Sequence, residues 1–94
     1  MRPHEVRKEN IHELDIINVR HIVCEEDRVI RKIKLNRGLI LGNAYQRKVK
    51  LHFFDKDENP LFVETTIWAI TEKSVILKGG KNIPIDSIYK VSLF

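Results

Sequence analysis

Between Arg28 and Phe54 the chain carries eight Lys or Arg side chains and no Asp or Glu in 27 residues: Arg28, Arg31, Lys32, Lys34, Arg37, Arg47, Lys48 and Lys50. A block of one sign, interleaved with apolar residues rather than low in complexity, folds and still shows a positive surface to a polyanion. Its chemistry is phosphate contact. If Arg47 to Phe54 is a strand, Lys48, Lys50 and His52 leave one face at ~7 Å intervals, close to the phosphate spacing of a single strand. Tyr45, Phe54, Phe62, Trp68 and Tyr89 are the aromatic candidates. An exposed Trp68 or Tyr45 beside that face adds base stacking of about 1 to 3 kcal/mol per base. The expected nucleic-acid contacts are therefore Arg28, Arg31, Lys32, Arg37, Arg47, Lys48, Lys50 and Trp68. The structural alternatives are a solvated strand face for the lysines and, for Trp68, the central core position of a barrel, which the sequence favours.

Other chemistries fit less well. Asp55, Asp57 and Asn59 match the first three ligand positions of a calcium loop, but Pro60 stands where glycine makes the bend and Thr66 where a bidentate glutamate closes the site. Lys78, Gly79, Gly80 and Lys81 lack the spacing of a phosphate-binding loop and read as a hairpin turn. The histidines His4, His12, His21 and His52 show no i, i+4 zinc spacing, and His52 reads as a surface residue. Ser74, Ser87, Ser92 and Cys24 sit in no nucleophile motif. The acid pairs Glu25–Glu26 and Asp57–Glu58 are sequence neighbours whose side chains diverge. The expectation is a protein without catalytic activity, metal or cofactor.

These residues must be positioned by a single domain, since 94 residues supply one core and no more. A 43% hydrophobic and 32% charged composition is that of a globular chain. The net charge of +4 is uneven: residues 1–54 hold twelve Lys or Arg against seven acids, and residues 55–94 five against six. Cys24 has no second cysteine to pair with, and Ile22 and Val23 before it suggest a buried thiol in a reducing compartment. Met1 to Asn10 lacks the apolar core of a signal peptide, and no apolar run approaches the ~18 residues of a membrane span. The expectation is a soluble cytoplasmic protein.

Alternation of apolar and polar residues predicts strands in the second half. The first covers Arg47 to Phe54, with Val49, Leu51 and Phe53 facing away from Lys48, Lys50 and His52. A polar loop through Pro60 leads to a second strand at Leu61 to Ile70, apolar on both faces as for a central strand. Val75 to Lys78 and Asn82 to Ile85 flank a Gly79–Gly80 turn, with Pro84 marking an edge. One helical turn at Asp86 to Ile88 precedes a last strand, Tyr89 to Leu93. Five short strands with that helical turn predict a mainly β, α+β fold: an SH3-like or Sm-like small barrel at residues 45–94, preceded by a helical segment at 1–44. An OB-fold needs longer strands and a helix for which there is no room.

In the first half, Glu25 to Leu41 places Val29, Ile33 and Ile40 on one helical face, with Ile30 and Leu41 beside them and three acids at its start. Gly42 and Asn43 then cap its end. The same residues also fit a hairpin turning at Asn36 to Gly38; the helix is favoured, although Gly38 inside it costs about 1 kcal/mol relative to alanine. Asn10 to Val23 reads as a second helical segment, and Met1 to Glu9 as frayed.

Leu41-Gly42-Asn43, Val63-Glu64-Thr65-Thr66-Ile67-Trp68-Ala69 and Ile83-Pro84-Ile85 resemble small uncharacterised proteins of Bacteroidetes-type bacteria, over roughly Arg37 to Phe94. That resemblance implies no activity and no site residue. A helix followed by five short strands also resembles Sm-like proteins and the similarly sized bacterial Rho-inhibitor family, although no Sm sequence motif is present and that family is generally acidic. The leading expectation is a binder of RNA or single-stranded DNA. The alternative is a protein-interaction or self-assembly module using exposed barrel edges and the apolar residues Leu39 to Leu41, with a protein partner or a second copy. No membrane is involved in either.

Overall fold

The helix favoured for the first half forms and runs further than the glycines suggested. In the computed structural model, which describes residues 3–7, 10, 16–19 and 23–93, α1 spans Glu25–Tyr45. Glu25, Glu26 and Asp27 occupy its first turn, where the helix dipole favours negative charge. Gln46, not Gly42, ends it in a left-handed conformation (φ 55°), its N–H donating to the Gly42 carbonyl at 3.0 Å. Gly42 is needed elsewhere. It is buried against the sheet, where a Cβ would lie 2.6 Å from the Ile67 carbonyl oxygen.

The described residues form seven strands, β1 (His4–Glu5), β2 (Val49–Phe54), β3 (Pro60–Thr65), β4 (Ile67–Ile70), β5 (Ser74–Leu77), β6 (Asn82–Pro84) and β7 (Lys90–Leu93), with a 3-10 turn at Ile85–Ser87 before β7. They form a four-stranded sheet, β1-β3-β2-β7, and a three-stranded sheet, β4-β5-β6. Only Thr66 separates β3 from β4, so consecutive strands pass from one sheet to the other. The result is a small α+β domain. The expected five-stranded barrel is not closed: β6 and β7 are outer strands with no ladder between them. Pro84, which has no N–H to donate, sits in that outer strand, as its chemistry requires.

Alternation puts Val49, Leu51 and Phe53 of β2, Leu61 and Val63 of β3, Ile67, Val75, Leu77, Ile83 and Val91 into one core. Leu35 of α1 and Ile88 complete it. The helix buries Arg31, Leu35, Gly38 and Gly42 and packs on β4 and β7. Val29, Ile33 and Ile40, which share one helical face, are exposed. The physical reason is distance: only the glycine-bearing face lets the helix backbone approach β4 this closely.

Two further expectations for the N-terminal region change. His4 and Glu5 do not fray; they pair in parallel with Leu61 and Phe62. Residues 16–19 of the expected Asn10 to Val23 helix are not helical: Ile16 bridges Asp55 and the Val19 N–H donates to the Asp86 carbonyl at 2.8 Å. Residues 11–15 and 20–22 of that segment lie outside the described residues. No helix among the described residues is long and apolar enough to cross a membrane.

Candidate nucleic-acid interface

The turn from β2 to β3 determines which side chains meet on the outer sheet face. Asp55 Oδ1 accepts the N–H groups of Asp57 and Asn59, both at 2.9 Å, and Oδ2 accepts from Asn59 Nδ2 at 3.1 Å. The residues suggestive of a calcium loop thus tie a hairpin, and the same bonds hold the Asp55 carboxyl below its ordinary pKa. The register that follows places Lys50 opposite Glu64, His52 opposite Phe62 and Phe54 opposite Pro60. On the other side, Lys50 faces Ser92 and His52 faces Lys90.

Rings therefore converge in a row that the linear sequence scatters. Phe54 stacks on Tyr89 with centroids 4.4 Å apart, Tyr89 lies 5.9 Å from His52, and His52 5.7 Å from Phe62. Lys50 Nζ stands 5.0 Å over the Phe62 ring, a cation–π contact. Phe54, Phe62 and Tyr89 are half-buried and keep part of their surface in solvent. Phe62, Tyr89 and Lys90 are functional candidates that sequence spacing alone does not assemble. The available signal is the turn: a hairpin tied at Asp55 brings position 62 beside position 52.

His52 is not a surface residue. Only 8% of it is exposed, Nε2 lies 3.3 Å from Ser92 Oγ, and Nδ1 is buried without a hydrogen-bond partner among the described residues. Burial, then Lys90 and Lys50, push its pKa below the ordinary value. The unfolded chain thus binds the proton more tightly than the folded one. Stability attributable to His52 is complete above the unfolded value of about 6.5 and declines as pH falls below it. A urea titration series between pH 7.5 and 5 is expected to show this decline in the wild type and a flatter profile in His52→Gln; identical slopes refute the assignment.

Trp68 stands on the outward side of β4, 49% exposed, where a register shift between Ile67 and Ala69 bulges the strand. The expectation of a core tryptophan is corrected: Ile67 takes the inward position, and the bulge turns its neighbour to solvent. Trp68 walls a shallow groove of about 270 Å³ together with Asn43, Gln46 and Lys78. A second groove, of about 280 Å³, shares Gln46, Thr66 and Lys78 and brings in Lys48 and Arg7, with Glu5 and Glu64 in its lining. The two grooves and the outer face of β2 form a path from Trp68 through Lys78 and Lys48 to Lys50 and the aromatic row.

Of the remaining cations, Lys34 and Arg31 meet the aromatic end of this path, lining a groove with Tyr89 and Lys90. Arg28, Arg31 and Lys32 line a cleft of about 480 Å³ beside the acids Glu72 and Asp86. The helical rise from these residues to the end of α1 at Tyr45 is about 20 to 25 Å, which separates them from Arg47 and Lys48. Arg37 and Arg47 are exposed. Arg31 is corrected from phosphate contact to structural residue: it is 7% exposed, Nη1 donates to the Ile88 carbonyl at 2.7 Å and Nη2 lies 3.7 Å from Asp86 Oδ1. Arg31→Ala leaves the buried Ile88 carbonyl without its charged donor and is expected to cost about 2 to 3 kcal/mol in urea unfolding. An unchanged midpoint removes this structural role. Cys24, expected to be buried, is exposed at the residue preceding α1.

Comparison with known protein families, with curated proteins and with solved structures finds no match.

Proposed function

We propose that this domain binds RNA or single-stranded DNA without catalysing a reaction, along the path from the β2–β3 outer face to Trp68. The observation that carries the reading is the exposed Trp68 indole, set beside Lys78 and Gln46 in a groove that continues to Lys48 and Arg7. Nonspecific single-strand binding requires both parts: cations tracking the backbone and ring faces on which bases stack. Glu64 opposite Lys50 and Glu5 in the groove lining restrict where phosphates approach and leave the cations as discrete contacts.

The same reading treats the fold as a partly opened SH3-like or Sm-like barrel. Its support is the order β7-β2-β3, continued past Thr66 as β4-β5-β6, with a helix before the strands and a 3-10 turn before the last one. Fold likeness is a weak warrant for function, so the site carries the proposal. A lone exposed thiol at Cys24 suits a reducing compartment, and we place the protein in the cytoplasm on that ground.

The test is fluorescence anisotropy of labelled single-stranded RNA and DNA oligomers against salt. Contacts by Arg7, Lys48, Lys50 and Lys78 predict a log–log slope of roughly −2 to −3, at about 0.7 for each phosphate neutralised. No binding at low salt rejects the reading and leaves the cations as a solubility feature.

A further inference from the structure

The side of α1 opposite its packed face is apolar and uncovered among the described residues. Val29, Ile33 and Ile40 are each between 51 and 64% exposed. Glu26, Val29, Ile33, Asn36 and Ile40 follow one another at steps of three, four, three and four residues, the spacing of a single helical seam. Large aliphatic groups at seam positions are unfavourable in water and stabilise a contact that covers them. We infer that this seam pairs with the same seam of a second copy of the chain, the two helices running antiparallel about a two-fold axis.

The charge distribution selects both the partner and the direction. Glu25, Glu26 and Asp27 open the helix, and the exposed cations Arg47 and Lys48 follow its end. An antiparallel pair sets the acids of each copy beside Arg47 of the other and opposes the two helix dipoles. A parallel pair instead gathers acids with acids and cations with cations. The two-fold axis passes close to Asn36, whose amide both donates and accepts and so meets its own copy without an unsatisfied group. On either side of it, Val29 and Ile33 of one copy face Ile40 and its neighbours on the other. A two-fold contact needs a surface complementary to itself, and this seam meets that condition.

The 21 residues of α1 extend about 31 Å. Two such helices in contact along their length bury on the order of 1,000 Å² in total, at the lower limit for a specific interface. A reversible dimer in the micromolar range follows. Salt screens the attraction of the acids to Arg47 together with the repulsion between the flanking Lys32 and Arg37, so the pairing depends only weakly on salt. Phosphate contacts respond steeply.

Sedimentation velocity on the full chain between 1 and 500 µM is the test. The mass is expected to rise from that of one chain to that of two. Ile33→Asp combined with Ile40→Asp is expected to hold the protein monomeric, with an unchanged far-ultraviolet circular dichroism spectrum, because both positions are exposed. Glu26→Lys alone is expected to weaken the dimer at least tenfold, and adding Arg47→Glu to restore it. A monomer at every concentration overturns the inference, as does a dimer indifferent to the Ile33 and Ile40 substitutions. Failure of the charge swap to restore pairing overturns the antiparallel arrangement. None of these outcomes depends on nucleic-acid binding, which is measured separately.

Discussion

Gly42→Ala is expected to lower the unfolding free energy by about 2 to 3 kcal/mol, a drop in Tm of roughly 10 to 20 °C for a domain of this size. The added Cβ meets the Ile67 carbonyl oxygen at 2.6 Å and Thr66 Cγ2 at 3.1 Å. The first of these is backbone held in a sheet, so relief requires α1 to lift from β4. Replacing glycine in a helix returns about 1 kcal/mol of propensity, which offsets only part of that cost. Gly38→Ala is the control. Its Cβ meets side-chain ends, Ile67 Cδ1 at 3.0 Å and Val49 Cγ1 at 3.1 Å, which yield by small rotations. Near-neutral stability is expected there. Urea unfolding of the two variants side by side reads the difference, and equal midpoints refute a close approach of α1 to β4 at Gly42.

Trp68→Ala is expected to weaken single-strand binding by about 5- to 100-fold, the range set by one stacked base, with little change in Tm because the side chain is half exposed. As the only tryptophan in the chain, Trp68 reports on its own surroundings. Its emission should be quenched by a titrated oligonucleotide and remain unchanged with inorganic polyphosphate, which has charge but no bases. Lys48→Ala with Lys78→Ala should flatten the salt slope by about 1.4, two phosphates' worth, while leaving Trp68 stacking intact. An oligonucleotide that binds without quenching Trp68, and whose affinity survives Trp68→Ala, would move the site away from the groove.

The two variants separate roles that share one neighbourhood. Thr66 lies against Gly42 and also lines the groove that contains Trp68. Seating the helix therefore shapes one wall of the binding path through Asn43 and Gln46. Loss of stability in Gly42→Ala and loss of binding in Trp68→Ala test the seat and the wall independently.

Several elements were legible without coordinates. The acids of the first turn and the long run of helix-compatible residues pointed to α1, and alternation in Val49 to Phe54 separated the core side of β2 from its outer side. Gly79 and Gly80, with φ of 95° and 91°, make the turn their sequence announced. Lys50 stands on the outer side of β2 where the strand pattern put it, half-buried over Phe62, whereas the exposed Lys48 precedes the strand. Local rules suffice in these cases, because each depends on residues within one turn or one strand.

Residue spacing sets which side chains share a face; packing against the rest of the fold sets which face is covered. Val29, Ile33 and Ile40 do lie together on α1, yet the buried side is the one with Arg31, Leu35, Gly38 and Gly42, because close approach to β4 outweighs side-chain hydrophobicity when only glycine permits it. Trp68 and His52 exchange their expected places for related reasons. A bulge in β4 turns the indole outward, and neighbouring strands bring Phe62 and Tyr89 around the imidazole. Arg31, one cation among eight in its run, was taken out of the candidate interface by a carbonyl 57 residues away. Periodicity reports direction around an element's own axis; burial depends on what the rest of the chain brings to that direction.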